Sequence, residues 1–309
     1  MKLRILACAA VLIAGAYSAA AQEIILDVES GYSMLQEAVA KKDIEQVKKL
    51  AAATSAMARK IEEEPAPTAA DEKEAYASRI KRASEIQLYT EYALFATATE
   101  AEPAAAIDLL TTLEQQNPKS TYLEYGGYAR YFALLRQTNQ AAKIVPLAEK
   151  ALASLPESTD LLATLADAAM AGKQGDRAIG YANRLVSAAA KSKKPDSLPQ
   201  ADFDRQKGAA LGRGYWIAGV LYGERNQAFE TDRNLRAALP YIRGNDAMMA
   251  PALFYLGVAN YTLGRQTLNK ARVLEAAKFS EQAAAIKSAY AQQAWRNAQG
   301  MKDEAAKMR

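Results

Sequence analysis

The chain has 309 residues, of which 50% are hydrophobic and 24% are charged. This balance is typical of globular proteins and argues against a disordered chain or a polytopic membrane protein. Lys and Arg number 39 against 35 Asp and Glu, an excess too small to predict nucleic-acid binding. Histidine is absent and Cys8 is the single cysteine, so we expect no catalytic imidazole, no disulfide and no Cys/His metal site.

The first 21 residues have the layout of a secretory signal peptide. Lys2 and Arg4 precede an apolar run from Ile5 to Ala16, and Ala19-Ala20-Ala21 offers a cleavage site. The apolar run falls short of the roughly 20 residues that span a bilayer. We therefore expect cleavage after Ala21, a periplasmic or secreted mature protein and no later membrane span; the alternative is an uncleaved anchor helix.

Residues 22–64 predict an N-terminal helical hairpin, with helices over 24–41 and 43–61 and a break near Lys42-Asp43. Three acidic residues and two prolines follow between Glu62 and Thr68, a composition that favours a stiff, solvated segment. We interpret residues 65–71 as a linker and residues 72–309 as a helical repeat domain.

The repeat domain shows one pattern several times: large residues at positions i, i+3 and i+7, and a small residue at i+4. These spacings share one helical face, and the small residue admits a companion helix. The small residues, separated by 36, 37, 53 and 38 positions, are Ala93, Ala129, Ala166, Gly219 and Gly257. The longest gap contains a loop near residues 191–199, after which a helix begins early, near Ala201.

The pattern resembles the tetratricopeptide repeat, most closely at Tyr215–Tyr222 and Leu253–Tyr261, over roughly residues 75–290. The resemblance implies an all-α fold, an α-solenoid in which antiparallel helix hairpins form a right-handed superhelix. We expect about five repeats, the N-terminal hairpin and a capping helix near Ala291–Arg309. The alternative, a generic helical array, keeps the α-solenoid.

The resemblance also implies a protein–protein interaction scaffold or adaptor that binds a partner segment in its concave groove. The repeat register places an aromatic cluster and two guanidinium groups on the inner face, where they would hold the rings, carboxylates or carbonyls of a peptide. The same register also assigns to the inner face Thr90, Leu94, Gly126, Ala163 and Asp167. The predicted partner-binding residues are Trp216, Phe254, Tyr261, Arg130 and Arg213. Packing of Trp216 and Phe254 against a neighbouring hairpin is the alternative.

Motifs with chemical meaning are weak. Ser78-Arg79-Ile80-Lys81 matches S-x-x-K without the other elements of serine acyl-transfer enzymes. We therefore predict no catalytic residue, no metal site and no cofactor. Two alternatives stay open: a structural subunit of an envelope assembly, with an exposed apolar patch on residues 24–61, and an enzyme that acts on envelope polymer through two facing carboxylates.

Overall fold

The computed structural model describes residues 27–195 and 199–308, and these residues form an all-α fold without strands. The predicted signal peptide, residues 1–21, lies outside the described residues. The described residues form thirteen α-helices, an interrupted helical turn at Leu123–Gly127 and a 3-10 turn at Ala141–Lys143. The α-helices are α1 (Val28–Lys41), α2 (Ile44–Glu62), α3 (Lys73–Glu100), α4 (Pro103–Gln116), α5 (Tyr128–Gln137), α6 (Ile144–Ser154), α7 (Thr159–Ala171), α8 (Gly175–Lys191), α9 (Gln200–Glu224), α10 (Ala228–Ile242), α11 (Asp246–Gln266), α12 (Lys270–Ala285) and α13 (Ala291–Lys307).

The first two helices lie where the hydrophobic periodicity predicts them, and their break has a local cause. Lys42 adopts the left-handed conformation with φ 56°, and the Asp43 side chain accepts a hydrogen bond from the Gln46 backbone N–H. This pairing of a left-handed residue with an N-cap ends one helix and begins the next. Both helices contact α3, and the buried side chains of Ala58, Ala83 and Ile86 form one apolar cluster. The N-terminal pair therefore packs on the helices that follow it.

The same turn recurs along the chain. Five non-glycine residues have φ between 52° and 58°, and each is followed by a residue whose N–H donates to a carbonyl five positions earlier, at 2.7–3.0 Å. This is the six-to-one bond of a Schellman motif, which closes a helix with its carbonyls satisfied. The left-handed residues are Lys42, Asn139, Lys173, Asn226 and Leu268.

Helix contacts follow chain order. Within the described ranges, the substantial contacts join a helix to the next one or to the next but one, as α7 to α9, α9 to α11 and α11 to α13. Apolar residues from α1 to α8 merge into a large cluster, and smaller clusters continue through α13. The hydrophobic interior is therefore elongated, because each helix buries its apolar face against sequence neighbours. In the described part of the chain, no helix combines the length and the apolar character that crossing a membrane requires.

Helix α9 starts early, as predicted, at Gln200, and it is unusually rich in glycine. A Cβ atom on Gly219 would lie 2.6 Å from the Leu235 side chain of α10, and one on Gly214 would lie 2.9 Å from the Ala182 carbonyl oxygen of α8. Gly257 on α11 is likewise closed off by Ser280 of α12. These glycines let neighbouring helices approach closely, as the small-residue pattern predicts for Gly219 and Gly257.

Ala129 departs from that pattern, because it is exposed and lines the concave surface beside α7 instead of being covered by a companion helix. Tyr125 (φ −96°, ψ 64°) and Gly126 (φ 102°) interrupt the helical geometry just before it. Residues on the two sides of this interruption do not share one helical face. Tyr128 and Phe132 are buried, whereas Ala129 is exposed. The predicted role of Ala129 as a packing residue is wrong.

Candidate functional site

A concave cavity of about 990 Å³ lies in the middle of the molecule. We call it the central cavity; its wall includes the Glu124–Gly126 turn, the first half of α7, the end of α8, the first half of α9 and the α10–α11 turn. Its volume is at the upper end of the range of about 300–1,000 Å³ that is typical of ligand pockets. The N-terminal half of α9 lies along the end of α8, where Lys207 donates to the Ala190 carbonyl, and its first half lines the cavity.

The interrupted helical turn at Leu123–Gly127 presents Tyr125 to solvent. Gly126 adopts φ 102°, a conformation that other residues rarely take, and this displaces the chain from the helical path. The Tyr125 side chain is 56% exposed as a result, and it lines the central cavity beside Glu124.

Two carboxylates in the cavity wall have no counter-charge. The side chains of Glu124 and Asp160 make no hydrogen bond or ion pair with any described residue, whereas Ser158 caps the N-terminus of α7 beside Asp160. Burial raises the pKa of both carboxyl groups, because desolvation disfavours their charged form. An ionised carboxylate here would be stabilised by a cation from outside the chain.

A third carboxylate, Asp167, is paired. Arg213 Nη2 lies 2.6 Å from Asp167 Oδ1, so the pair joins α7 to α9 across the cavity wall. The Arg213 guanidinium also lies over the Trp216 ring, 5.1 Å from its centroid. Trp216 itself sits behind the wall, where its indole N–H donates to the Met248 carbonyl at 2.8 Å.

The part of the cavity wall that residues 191–243 supply carries positive charge. Lys191 at the end of α8 and Arg243 after α10 have no ion-pair partner among the described residues. Lys207 donates to the Ala190 carbonyl and lies over the Phe203 ring. Tyr241 completes this part of the wall, and it packs there because Gly212 on α9 lacks a side chain: a Cβ on Gly212 would lie 2.6 Å from Tyr241 Cβ.

The predicted partner-binding residues are not gathered in one place. Arg213 lines the central cavity, with Trp216 directly behind it. Arg130 donates to the carbonyls of Ala98 and Thr99 and so closes the C-terminus of α3. Whether these side chains contact a partner stays a prediction.

The two remaining predicted residues lie on α11 and contact other parts of the chain. Phe254 packs between the rings of Tyr255 and Tyr290, with centroids 5.2 and 5.0 Å away. The Tyr261 hydroxyl donates to the Glu304 carboxylate on α13. Their aromatic surface is therefore largely used inside the protein.

The inner face that the repeat register predicts agrees with the structure only around the central cavity. Gly126, Ala163 and Asp167, which that register assigns to the inner face, line the central cavity. Thr90 and Leu94, assigned in the same way, are buried, because α1, α2 and α4 surround α3. The inner-face assignment is wrong for these two residues.

Sequence reasoning missed Glu124, Tyr125, Asp160, Tyr241 and Arg243. One signal could have indicated the first two, since Gly126-Gly127 in the middle of a predicted helix favours an interruption. The others depend on helices that meet only in the folded chain. Within residues 27–195 and 199–308, no cluster of three Asp, Glu, His or Cys side chains is placed to hold a metal ion.

Comparison with known proteins adds no assignment. No protein-family model matches the chain, and a search of curated proteins finds no significant match.

Proposed function

We propose that this chain is an exported helical-repeat protein of the tetratricopeptide type, a scaffold or adaptor that binds a segment of a partner protein in the central cavity. The observation that carries the proposal is the cavity itself, which is concave, large enough for several residues and lined by uncompensated charges and exposed tyrosines. Such a surface suits recognition, since tyrosine combines an apolar ring with a hydroxyl group.

The recurring turn and the contact pattern support the repeat assignment. Pairing each helix with its successor divides the described helices into six pairs, α1/α2 to α11/α12, with α13 against the last pair. The pair α5/α6 is the exception in packing, because its two helices meet mainly through the 3-10 turn at Ala141–Lys143. Five of the six pairs are joined by the same left-handed turn, and α3/α4 is joined instead through Pro103 at the start of α4. A stack of similar pairs with neighbour-only contacts is the architecture of a solenoid.

Binding is favoured over catalysis by the charges in the cavity. Acid–base catalysis usually needs two groups whose pKa values are driven apart. Burial raises the pKa of both Glu124 and Asp160, and neither carboxyl has a partner that would lower it. The cavity also contains cations, which differs from the acidic cleft that the polymer-hydrolysing alternative calls for.

The structural-subunit alternative calls for an exposed apolar patch on the N-terminal pair. The large hydrophobic side chains that are exposed in the described residues all lie elsewhere. They are Leu88, Tyr92, Tyr125, Phe229, Tyr241, Leu268, Leu274 and Trp295. Two of them, Tyr125 and Tyr241, line the central cavity, which directs the proposal there.

Site-specific photo-crosslinking in cells tests the proposal. A photoreactive phenylalanine analogue at position 125 should give discrete adducts with a partner protein. The same analogue at position 229 is the control, because Phe229 is an equally exposed aromatic residue outside the cavity wall. Adducts at both positions alike, or none at position 125, would contradict binding in the cavity.

Export is tested separately, by the intact mass of the protein purified from the cell envelope. Cleavage after Ala21 leaves a chain that begins at Gln22. A mass that includes residues 1–21, or recovery of the protein only from the cytoplasm, would contradict the predicted signal peptide.

A further inference from the structure

The charges of the central cavity are sorted along the chain. The carboxylates in its wall come from residues 124–167, and the cations come from residues 191–243. Glu124 and Asp160 represent the first group, and Lys191 and Arg243 the second. The Asp167–Arg213 ion pair joins one member of each group. Segments before α8 therefore supply the carboxylates of the wall, and α8 and the segments after it supply the cations.

Two carboxylates and two cations of the cavity wall, Glu124, Asp160, Lys191 and Arg243, have no ion-pair partner among the described residues. A desolvated carboxylate without a counter-charge destabilises the fold, and a bound cation offsets that cost. Many other carboxylates of this protein are paired: Asp232, Glu29 and Glu149, for example, each contact an arginine at 3.0 Å or less. Glu124 and Asp160 differ from these residues, because burial raises the pKa of each carboxyl group although no internal cation is paired with it.

We infer that the central cavity takes a peptide segment that carries one basic and one acidic side chain, the basic group between Glu124 and Asp160 and the acidic group beside Lys191 and Arg243. The inference rests on the proposed function and specifies the partner segment that it requires.

Aromatic side chains support a peptide as the occupant. Tyr125 lies in the cavity wall next to Glu124 in the chain, and its ring is exposed. Flat rings pack against the aliphatic stem of a lysine or arginine and attract its charged group. A volume of about 990 Å³ also exceeds what a single amine or carboxylate fills.

Four fluorescein-labelled decapeptides of Ala and Ser test the inference with the chain from Gln22 onward. One carries a Lys and a Glu five residues apart, one the Lys alone, one the Glu alone, and one neither. Fluorescence anisotropy should show the tightest binding for the peptide with both charges. The Glu124→Gln/Asp160→Asn double variant should weaken both Lys-containing peptides by about tenfold and leave the Glu-only peptide unchanged.

The converse variant, Lys191→Gln/Arg243→Gln, should weaken only the Glu-containing peptides. Asp303→Asn is the control, because Asp303 is an exposed carboxylate on α13 outside the cavity wall, and melting curves verify that each variant folds. Equal affinities across the four peptides, no binding by any of them, or double variants that bind like the wild type would overturn the inference. If acetyl-lysine amide binds as tightly as the decapeptide, the ligand of the cavity is a small amine and the inferred peptide is wrong.

Failure of this inference is distinguishable from failure of the proposed function. If crosslinks at position 125 persist in the Glu124→Gln/Asp160→Asn background, the cavity binds a partner without the charge recognition. If crosslinks at position 125 are absent from the wild type, the proposed function itself fails.

Discussion

Leu268 is the residue that fits its backbone conformation least well. It occupies the left-handed position of the α11–α12 turn with φ 52°, where the equivalent residues are Asn139, Asn226 and two lysines. Asparagine tolerates this region, whereas a leucine pays for the close approach of its Cβ to the backbone. Its side chain is 82% exposed, so burial does not compensate.

Leu268→Asn is expected to stabilise the protein by about 0.5–1 kcal/mol, because it relieves this local strain without removing a packed side chain. Urea unfolding at neutral pH measures the change. Asn226→Leu is the matched reversal at an equivalent turn and should destabilise by a similar amount. A loss of stability in Leu268→Asn would show that the leucine is held by contacts that outweigh the strain.

Glu124 should lower the stability of the folded protein at neutral pH. Burial raises the pKa of its carboxyl above the ordinary 4.5, so the fold favours the protonated form. The contribution of the protonated carboxyl to the free energy of unfolding is fully present below the unfolded-state pKa, and it is lost as the pH rises through the folded-state pKa. Glu124→Gln should therefore melt at a higher temperature than the wild type at pH 7, and the gain should shrink towards pH 4. A constant gain at both pH values would point to a cause other than ionisation.

At the scale of helices, a polar network joins α10, α11 and α12. Asp232 accepts hydrogen bonds from Arg236 at 2.7 Å, from Arg272 at 3.0 Å and from the buried Asn260 at 2.6 Å. Arg236 also pairs with Glu275 on α12. Asn260 stands at the i+7 position, where the repeat pattern favours a large residue, and the donors and acceptors of the network satisfy one another.

Asp232→Ala should destabilise the protein by roughly 1–3 kcal/mol, because it leaves two guanidinium groups and an amide without their shared acceptor. Asp176→Ala is the control: Asp176 pairs with Arg225 at 2.6 Å, but its side chain is 92% exposed. Exposed pairs contribute about 0–1 kcal/mol, so this variant should unfold almost like the wild type. Equal effects of the two substitutions would rule out the network as a cohesive element.

Close helix contacts give a second test at this scale. Gly219→Ala places a methyl group against Leu235 and should destabilise by about 1–3 kcal/mol through overpacking. Gly180→Ala on the exposed face of α8 meets open space, so helix propensity alone should stabilise by about 0.5–1 kcal/mol. Chemical denaturation of the two variants should give opposite signs. If both substitutions change the free energy of unfolding in the same direction, α9 and α10 can move apart without a loss of stability.

At the scale of the whole molecule, tyrosines are packed between helices along much of the chain. Burial raises the pKa of Tyr128 and Tyr131 on α5, and burial with the neighbouring Tyr290 raises the pKa of Tyr255 to about 12. Each phenol is therefore kept neutral by the fold at a pH where the unfolded chain would ionise it.

Stability should fall steeply in alkali. The contribution of a raised phenol pKa is fully present below pH 10 and is lost as the pH rises through the folded-state value, near 12 for Tyr255. The urea midpoint should thus decline between pH 10 and 12, and Tyr255→Phe should show a shallower decline. An unchanged midpoint across this interval would contradict the role of buried phenols.

Local features of the sequence were enough to predict much of the helical organisation. The α1–α2 break, the early start of α9 and the packing roles of Gly219 and Gly257 depend on residues close in sequence, such as an N-cap, a left-handed turn or a missing side chain. Such features act within a few positions along the chain, so the sequence alone is enough to predict them. The prediction from the repeat register is wrong at Ala129, because the non-helical backbone of Tyr125 and Gly126 interrupts the helix just before it.

The candidate site was decided by the tertiary structure. Trp216, Phe254, Tyr261 and Arg130 have the residue types of a binding surface, yet each has an internal contact that only the folded chain supplies. The central cavity, conversely, joins Glu124, Asp160 and Arg243, which are far apart in sequence and belong to different helix pairs. Helical periodicity determines which residues share a face. How neighbouring helices stack determines which faces are covered and which charges remain without a partner.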